Sequence, residues 1–186
     1  MAKKTSKKKL KARRRAARRA FITFLILFAL AAAFVRFVVF VPVYMPTNAM
    51  APTYKKGDLV YADKLTMWKD FRVNRGDLIY AVFEANDGGY IRRVMGMPGD
   101  LIDVRDGIRV LVTYENGAVT NEIVLADAPA LVYGEIPNGA YLLLADNLDE
   151  PNVADSRTLG LIKDTAISAA PGAILWPPSR AFRSVR

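Results

Sequence analysis

Residues 90–100 read Tyr-Ile-Arg-Arg-Val-Met-Gly-Met-Pro-Gly-Asp, a strand-like run that ends in three turn-forming residues. Strand-like runs followed by turn-forming residues recur along most of the chain. Asn-Gly and Asp-Gly pairs, which supply the positive φ angles of tight hairpins, separate several of the runs. No segment after the first 41 residues sustains a helical period of 3.6. We therefore predict an all-β, mostly antiparallel domain over residues 42–186, with strands in the runs 58–63, 77–83, 90–97, 101–105, 107–114, 119–124, 141–145 and 173–176.

An apolar stretch precedes this domain. Residues 20–35 carry no charge, and after Arg36 the apolar character continues to Val41 before Pro42 interrupts it. A bilayer needs about 20 residues in a helix, and an arginine near the interface can extend its side chain into the headgroups. The sequence predicts a transmembrane anchor over residues 20–41.

Two other interpretations of the stretch were weighed. A cleaved secretory signal could use the small residues Ala31, Ala32 and Ala33, but the chain stays apolar beyond them. A helix buried in a soluble core would also be apolar on all sides. The continued apolar run favours the anchor.

The first 19 residues form a basic arm. They contain eleven Lys and Arg and no acidic residue, which leaves 16 basic against 18 acidic residues in the rest of the chain. The positive-inside rule then places the arm in the cytoplasm, against anionic lipid, and the β domain outside the membrane. The arm has no aromatic residues among its charges, so we predict no nucleic-acid partner.

The composition also limits the chemistry. The chain has no Cys and no His, which excludes disulfides, cysteine–metal sites and any Ser-His-Asp arrangement. No paired-carboxylate spacing stands out, so we predict no metal and no cofactor.

Four short sequence motifs, or boxes, follow the apolar stretch along the chain. The first, residues 46–53, reads Pro-Thr-Asn-Ala-Met-Ala-Pro-Thr. Lys-Gly-Asp follows at 56–58, then comes the run 90–100, and the last box is Ala-Asp-Asn at 145–147 with Asp-Ser-Arg at 155–157 and Gly160. Together the boxes resemble the type I signal peptidases, membrane-anchored Ser/Lys peptidases.

The resemblance identifies the positions of the catalytic dyad, and both are substituted. Where the family has its nucleophilic serine, this chain has Ala49, and where the family has its general-base lysine it has Arg92. A methyl group cannot be acylated, and a guanidinium is charged and accepts no proton at neutral pH. The serine that orients the lysine in the family is replaced by Val153.

Other site residues follow from the resemblance or from residue type. Thr47 occupies the family's first serine and could support an oxyanion; on a strand its side chain would share a face with that of Ala49. We predict a substrate cleft lined by Met50, Pro52, Phe83, Met95 and Met97, although the same side chains would also suit a β core. The resemblance implies a structural cluster of Arg93, Asp146, Asn147, Asp155, Ser156 and Arg157.

These residues predict a signal peptidase I homologue in a bacterial membrane that does not cleave peptides. Its predicted partner is an exported protein or signal-peptide segment, and its predicted role is binding or assembly, by analogy with non-cleaving relatives that assist pilus formation. One alternative is an active peptidase that uses Thr47 with an unidentified lysine. Another is an active parent in which Ala49 was introduced to trap substrate, but the arginine at position 92 argues against it.

Overall fold

The computed structural model describes residues 2–34, 39–68, 72–82 and 88–181. The chain forms two compact units, residues 1–39 and residues 40–186. The first contains helix α1, Ala2–Phe34, and the second contains eleven strands. The boundary between them lies close to the predicted end of the anchor.

Helix α1 joins the basic arm to the apolar stretch without a break. Its segment Arg14–Phe34 has 21 residues and is long and apolar enough to cross a membrane. The helix ends at Phe34, whereas the sequence analysis extended the anchor to Val41. Phe40 and Val41 instead begin strand β1, where they pair with Asp63 and Ala62. Arg36, which was expected near the interface, lies outside the described residues.

Two antiparallel sheets form the second unit, and they confirm the predicted fold class. The larger has seven strands in the order β1-β2-β11-β3-β4-β9-β10, and the smaller has four in the order β7-β6-β5-β8. Every pairing is antiparallel. The strands are β1 Phe40–Tyr44, β2 Leu59–Asp63, β3 Leu78–Val82, β4 Gly89–Gly96, β5 Leu101–Arg105, β6 Ile108–Glu115, β7 Ala118–Val124, β8 Gly134–Glu135, β9 Ala140–Leu144, β10 Ile162–Lys163 and β11 Ile167–Trp176.

Two of the predicted turns form where the sequence placed them. Asp106 and Gly107 both have positive φ angles between β5 and β6, and Asn116 and Gly117 do the same between β6 and β7. Such pairs match the right-handed twist of the flanking strands. The described residues also form two helices of one turn, α2 Leu65–Trp68 and α3 Ser156–Leu159, and a 3-10 turn at Asp164–Ala166.

Strand β1 was not predicted because Pro42 seemed to end the apolar stretch. Proline lacks a backbone N–H, so sheets tolerate it at edges and bulges. Pro42 lies on β1, an edge strand, and Pro171 lies at a register shift of β11. Both are positions at which sheets tolerate proline.

The larger sheet surrounds the main apolar core. Strands β1 and β2 contribute Val43 and Val60, β11 contributes Ile174, and the loop after β1 contributes Met50 and Tyr54, all of them buried. A second core lies between the two sheets and includes Ile102, Leu111, Leu142 and Leu144. A third forms around Ile79, Val94 and Leu143.

Candidate active site

The loop that carries Ala49 follows strand β1 and is built from turns. The N–H of Ala51 donates to the carbonyl of Asn48 at 2.9 Å, and the N–H of Tyr54 donates to that of Met50 at 2.8 Å. The prediction that residues 47 and 49 share one face of a strand is therefore wrong. Thr47 is exposed, whereas Ala49 is only 1 % exposed.

The methyl group of Ala49 is packed inside the protein. It forms a small apolar cluster with Ala145 and Val153. Its backbone N–H donates to Oγ1 of Thr47 at 3.3 Å, and its carbonyl accepts the N–H of Asn147 at 2.9 Å. The chain thus holds this position firmly but presents no polar side-chain atom there.

Arg92 lies on strand β4 and is 4 % exposed. Its Nε donates to the carbonyl of Ala154 at 2.9 Å, and its Nη1 donates to the carbonyl of Ile91 at 2.6 Å. The guanidinium carbon lies 5.1 Å from the centre of the Tyr90 ring, within the range of a cation–π contact. Burial lowers the pKa of Arg92 to about 10, while the neighbouring Asp155 opposes that shift.

A cleft of about 320 Å³ opens beside Arg92. One wall is the end of β1 and the following loop, the second is the start of β4, and the third is the segment 151–154. Thr47, Arg92 and Val153 are among the lining residues. Val153 packs against Ala49 and also lines the cleft together with Arg92.

Two strand edges border this cleft. Strand β1 ends the seven-stranded sheet and, among the described strands, pairs with β2 alone. Strand β4 pairs with β3 along Gly89–Arg93, but its pairing with β9 begins only at Arg93, opposite Leu144. The β9 side of Gly89–Arg92 thus has no strand partner in the described part of the sheet. An extended chain could add to either edge.

The predicted apolar groove of methionines does not form. Met50 is fully buried in the main core, Met95 packs against the core between the sheets, and Met97 packs against the third core. These three belong to the core, which the sequence analysis kept as the alternative. Pro52 is exposed, follows a cis peptide bond and does not line the cleft. Phe83 lies outside the described residues.

Arg93 forms a forked ion pair with Asp146. Its Nε donates to Oδ1 at 2.7 Å and its Nη2 donates to Oδ2 at 2.8 Å. The hydroxyl of Thr53 also donates to Oδ2, and Nη1 of Arg93 donates to the carbonyl of Gly76 at 2.7 Å. This pair raises the pKa of Arg93 and ties the loop of Ala49 to strand β4.

A second forked pair holds the segment after Val153. Asp155 is fully buried and accepts from Nε and Nη2 of Arg157, and also from the N–H of Ala145 at 3.2 Å. The hydroxyl of Ser156 accepts the N–H of Leu143 at 2.9 Å. Four of the six predicted cluster residues thus form two separate ion pairs, Arg93 with Asp146 and Arg157 with Asp155. Asn147 joins them to the Ala49 loop through its backbone N–H.

Sequence reasoning did not predict several residues of this region. The segment Pro151–Ala154 forms a whole wall of the cleft, yet only Val153 was identified. Thr53 was part of a recognised box, and its contact with Asp146 was not foreseen. Arg180 was missed completely, because nothing local indicates its pairing with Asp58.

Metal ligation finds no support here. Within the described ranges, which omit residues 35–38, 69–71, 83–87 and the last five, no group of three or more acidic side chains could hold a metal ion.

Comparison with known proteins identifies the scaffold. The family model described as "Signal peptidase, peptidase S26" matches residues 18–176. A "Probable signal peptidase I-2" of Synechocystis is 29 % identical over 147 residues, covering 74 % of this chain and 63 % of the relative, so the chain spans less than two thirds of that protein. "Signal peptidase I U" of Bacillus subtilis is 25 % identical, with 77 % of this chain and 79 % of the relative covered.

A solved signal peptidase I from Enterococcus faecalis V583 is 21 % identical to the chain. The alignment covers 53 % of this chain and 96 % of that structure, with a TM-score of 0.38. The extent of the family match defines the class of protein as a peptidase-type β scaffold with an N-terminal apolar helix. The chain belongs to the signal peptidase family, peptidase S26.

Proposed function

We propose that this chain is a non-cleaving member of the signal peptidase family that binds an extended segment of an exported protein. The observation that carries the proposal is the pair of residues at the dyad positions, a buried methyl group at Ala49 and a buried guanidinium at Arg92. Losing the nucleophile of a comparable hydrolase costs about 10⁶ in kcat, and the residual rate is about 10³–10⁴ over water. Such a rate is too low for a secretory enzyme.

Arg92 does not replace the lysine as a general base. With a pKa of about 10, roughly one molecule in a thousand carries a neutral side chain at pH 7. Its Nε and Nη1 also donate to two backbone carbonyls, which favours the charged form. Arg92 therefore supplies a positive charge and hydrogen-bond donors rather than a proton acceptor.

The enzymatic alternative requires Thr47 and a lysine beside it. The hydroxyl of Thr47 lines the cleft but also accepts a hydrogen bond from its own turn. None of the described external lysines, which are Lys55, Lys56, Lys64 and Lys163, is among the residues lining the cleft, and Lys69 lies outside the described part. This arrangement favours binding over a re-routed dyad.

The free edges of β1 and β4 supply a binding mode for such a ligand. An extended peptide between them would gain backbone hydrogen bonds, and Val43, Met45 and Val153 would contact small apolar side chains. In this proposal α1 anchors the chain in a bacterial membrane as a single span. The eleven cations of the arm keep the N-terminus cytoplasmic near anionic lipid, and the β domain meets exported chains outside. By analogy, this arrangement fits an accessory role in pilus-type assembly.

Incubation of the purified full chain with a labelled preprotein, in detergent, tests the proposal. We expect no mature product and retention of the preprotein by the chain. Thr47→Trp should fill the cleft from its exposed wall and reduce retention, whereas Thr120→Trp, exposed on the smaller sheet, should not. Mature product from the unmodified chain would refute the proposal.

A further inference from the structure

Arg92 is a buried charge without a carboxylate partner in the described part of the chain. Its hydrogen bonds go to two backbone carbonyls, and it forms no ion pair with a described acidic residue. The acid that acts most on it, Asp155, already binds Arg157 through both oxygens. Buried charges are normally paired, so this arrangement is costly unless a ligand supplies the missing anion.

The guanidinium retains donors for such a ligand. Arginine carries five N–H groups in a planar fork, and the two carbonyl bonds use one on Nε and one on Nη1. Arg92 lines the cleft, so the remaining N–H groups belong to a side chain that borders open space. A carboxylate is the group that matches this fork best, because it accepts two parallel N–H bonds.

The strand pairing shows where the free edge of β4 ends. A peptide that adds to the free edge of β4 can pair along Gly89–Arg92. At Arg93 the same edge is already occupied by Leu144 of β9. A peptide that runs parallel to β4 in the cleft thus brings its C-terminus to the end of the free edge, beside Arg92.

We propose that Arg92 binds the C-terminal carboxylate of an extended peptide held between β1 and β4. The inference rests on the proposed function, since it requires that the cleft binds peptide. It adds that the bound peptide presents its terminal carboxylate to Arg92. The substitution of lysine by arginine thus replaces a proton acceptor with an anchor for a chain terminus. The bound peptide would end in the cleft rather than pass through it.

Binding of paired peptides to the unmodified full chain tests this inference. The probe is an acetylated six-residue peptide of alanine and valine, prepared with a free C-terminal carboxylate and as the C-terminal amide. Fluorescence anisotropy of a labelled version measures each Kd. We expect the acid to bind about 10- to 100-fold more tightly than the amide, the range for a hydrogen bond to a charged group. A third peptide, amidated but with aspartate in its last position, distinguishes a side-chain carboxylate from a terminal one and should bind like the plain amide.

Variants identify the responsible residue. Arg92→Gln should bring the acid-to-amide ratio close to one, whereas Arg105→Gln, an exposed arginine of the smaller sheet, should leave it unchanged. Equal binding of acid and amide by the unmodified chain would overturn the carboxylate inference and leave the peptide cleft intact. A tighter aspartate peptide would overturn the terminal assignment. Failure of all three peptides to bind would refute both the inference and the proposed function.

Discussion

The guanidinium of Arg180 lies 2.9 Å from the carboxylate of Asp58, although 122 residues separate them in sequence. Asp58 is 1 % exposed, and its carboxylate also accepts the N–H of Lys55. A second nitrogen of Arg180 donates to the carbonyl of Thr53 at 3.4 Å. The segment after β11 thus closes the loop that holds Ala49, from a position beyond the end of the family match at residue 176.

Arg180→Ala should destabilise the β domain by about 1–3 kcal/mol, because it leaves a buried carboxylate without its charged partner. Urea unfolding of the full chain in detergent measures the change. Arg105→Ala is the matched control, since its partners Asp103 and Glu122 are more exposed, and it should have a smaller effect. Equal losses of unfolding free energy in the two variants would show that the buried Arg180–Asp58 pair stabilises the domain no more than the exposed pairs of Arg105.

Ala49→Ser combined with Arg92→Lys should restore measurable cleavage of a preprotein, because the two ion pairs and Asn147 still hold both dyad positions. Adding Val153→Ser should raise the rate further by giving the lysine a hydroxyl partner. Ala49→Ser alone should remain inactive near pH 7, since Arg92 stays protonated there. Gel analysis of a labelled preprotein distinguishes the variants. A double variant that folds but never cleaves would indicate that the cleft has lost more than its dyad.

Arg93 and Asp146 should show strong coupling in a double-mutant cycle. Either Arg93→Met or Asp146→Leu alone should cost about 2–4 kcal/mol in unfolding free energy, because each leaves one partly buried charge unpaired. The double variant should lose clearly less than the sum of the two. Additive losses would mean that the pair contributes through packing rather than through charge.

Tyr54→Phe should change how stability depends on pH. Burial raises the pKa of Tyr54 above its usual value of about 10, and its hydroxyl donates to the carbonyl of Gly172 at 2.7 Å. The unfolded chain therefore loses this proton first, so the associated stability is present below pH 10 and falls as the pH rises above it. In urea titrations, the decline of the variant's stability should be shallower, by about half a proton at pH 10 and close to one proton at pH 11. Identical slopes would contradict the burial of an intact phenol.

Most strands could be predicted because their signals are local. The runs at 101–105 and 119–124 alternate with Asp-Gly and Asn-Gly pairs, and the structure forms hairpins there. Strand β1 could not be predicted, because an apolar run that ends in proline resembles the end of a membrane helix. The assignment of three methionines to the cleft was wrong for a similar reason. Met50, Met95 and Met97 are apolar wherever they lie, and only the packing of the sheets decides that they enter three different cores.

The sequence alone determined which side chains stand at positions 49 and 92, since no fold can give a methyl group a nucleophilic oxygen or turn a guanidinium into an amine. It also determined the all-β character and the apolar helix, because both depend on residue patterns within short segments. The tertiary structure decided that Arg92 borders a cleft and has no acidic partner among the described residues. It also decided that the described part of β4 offers a free edge ending at Arg92, and that Arg180 meets Asp58. Those features depend on strand register and on contacts between residues far apart in sequence, which local patterns do not encode.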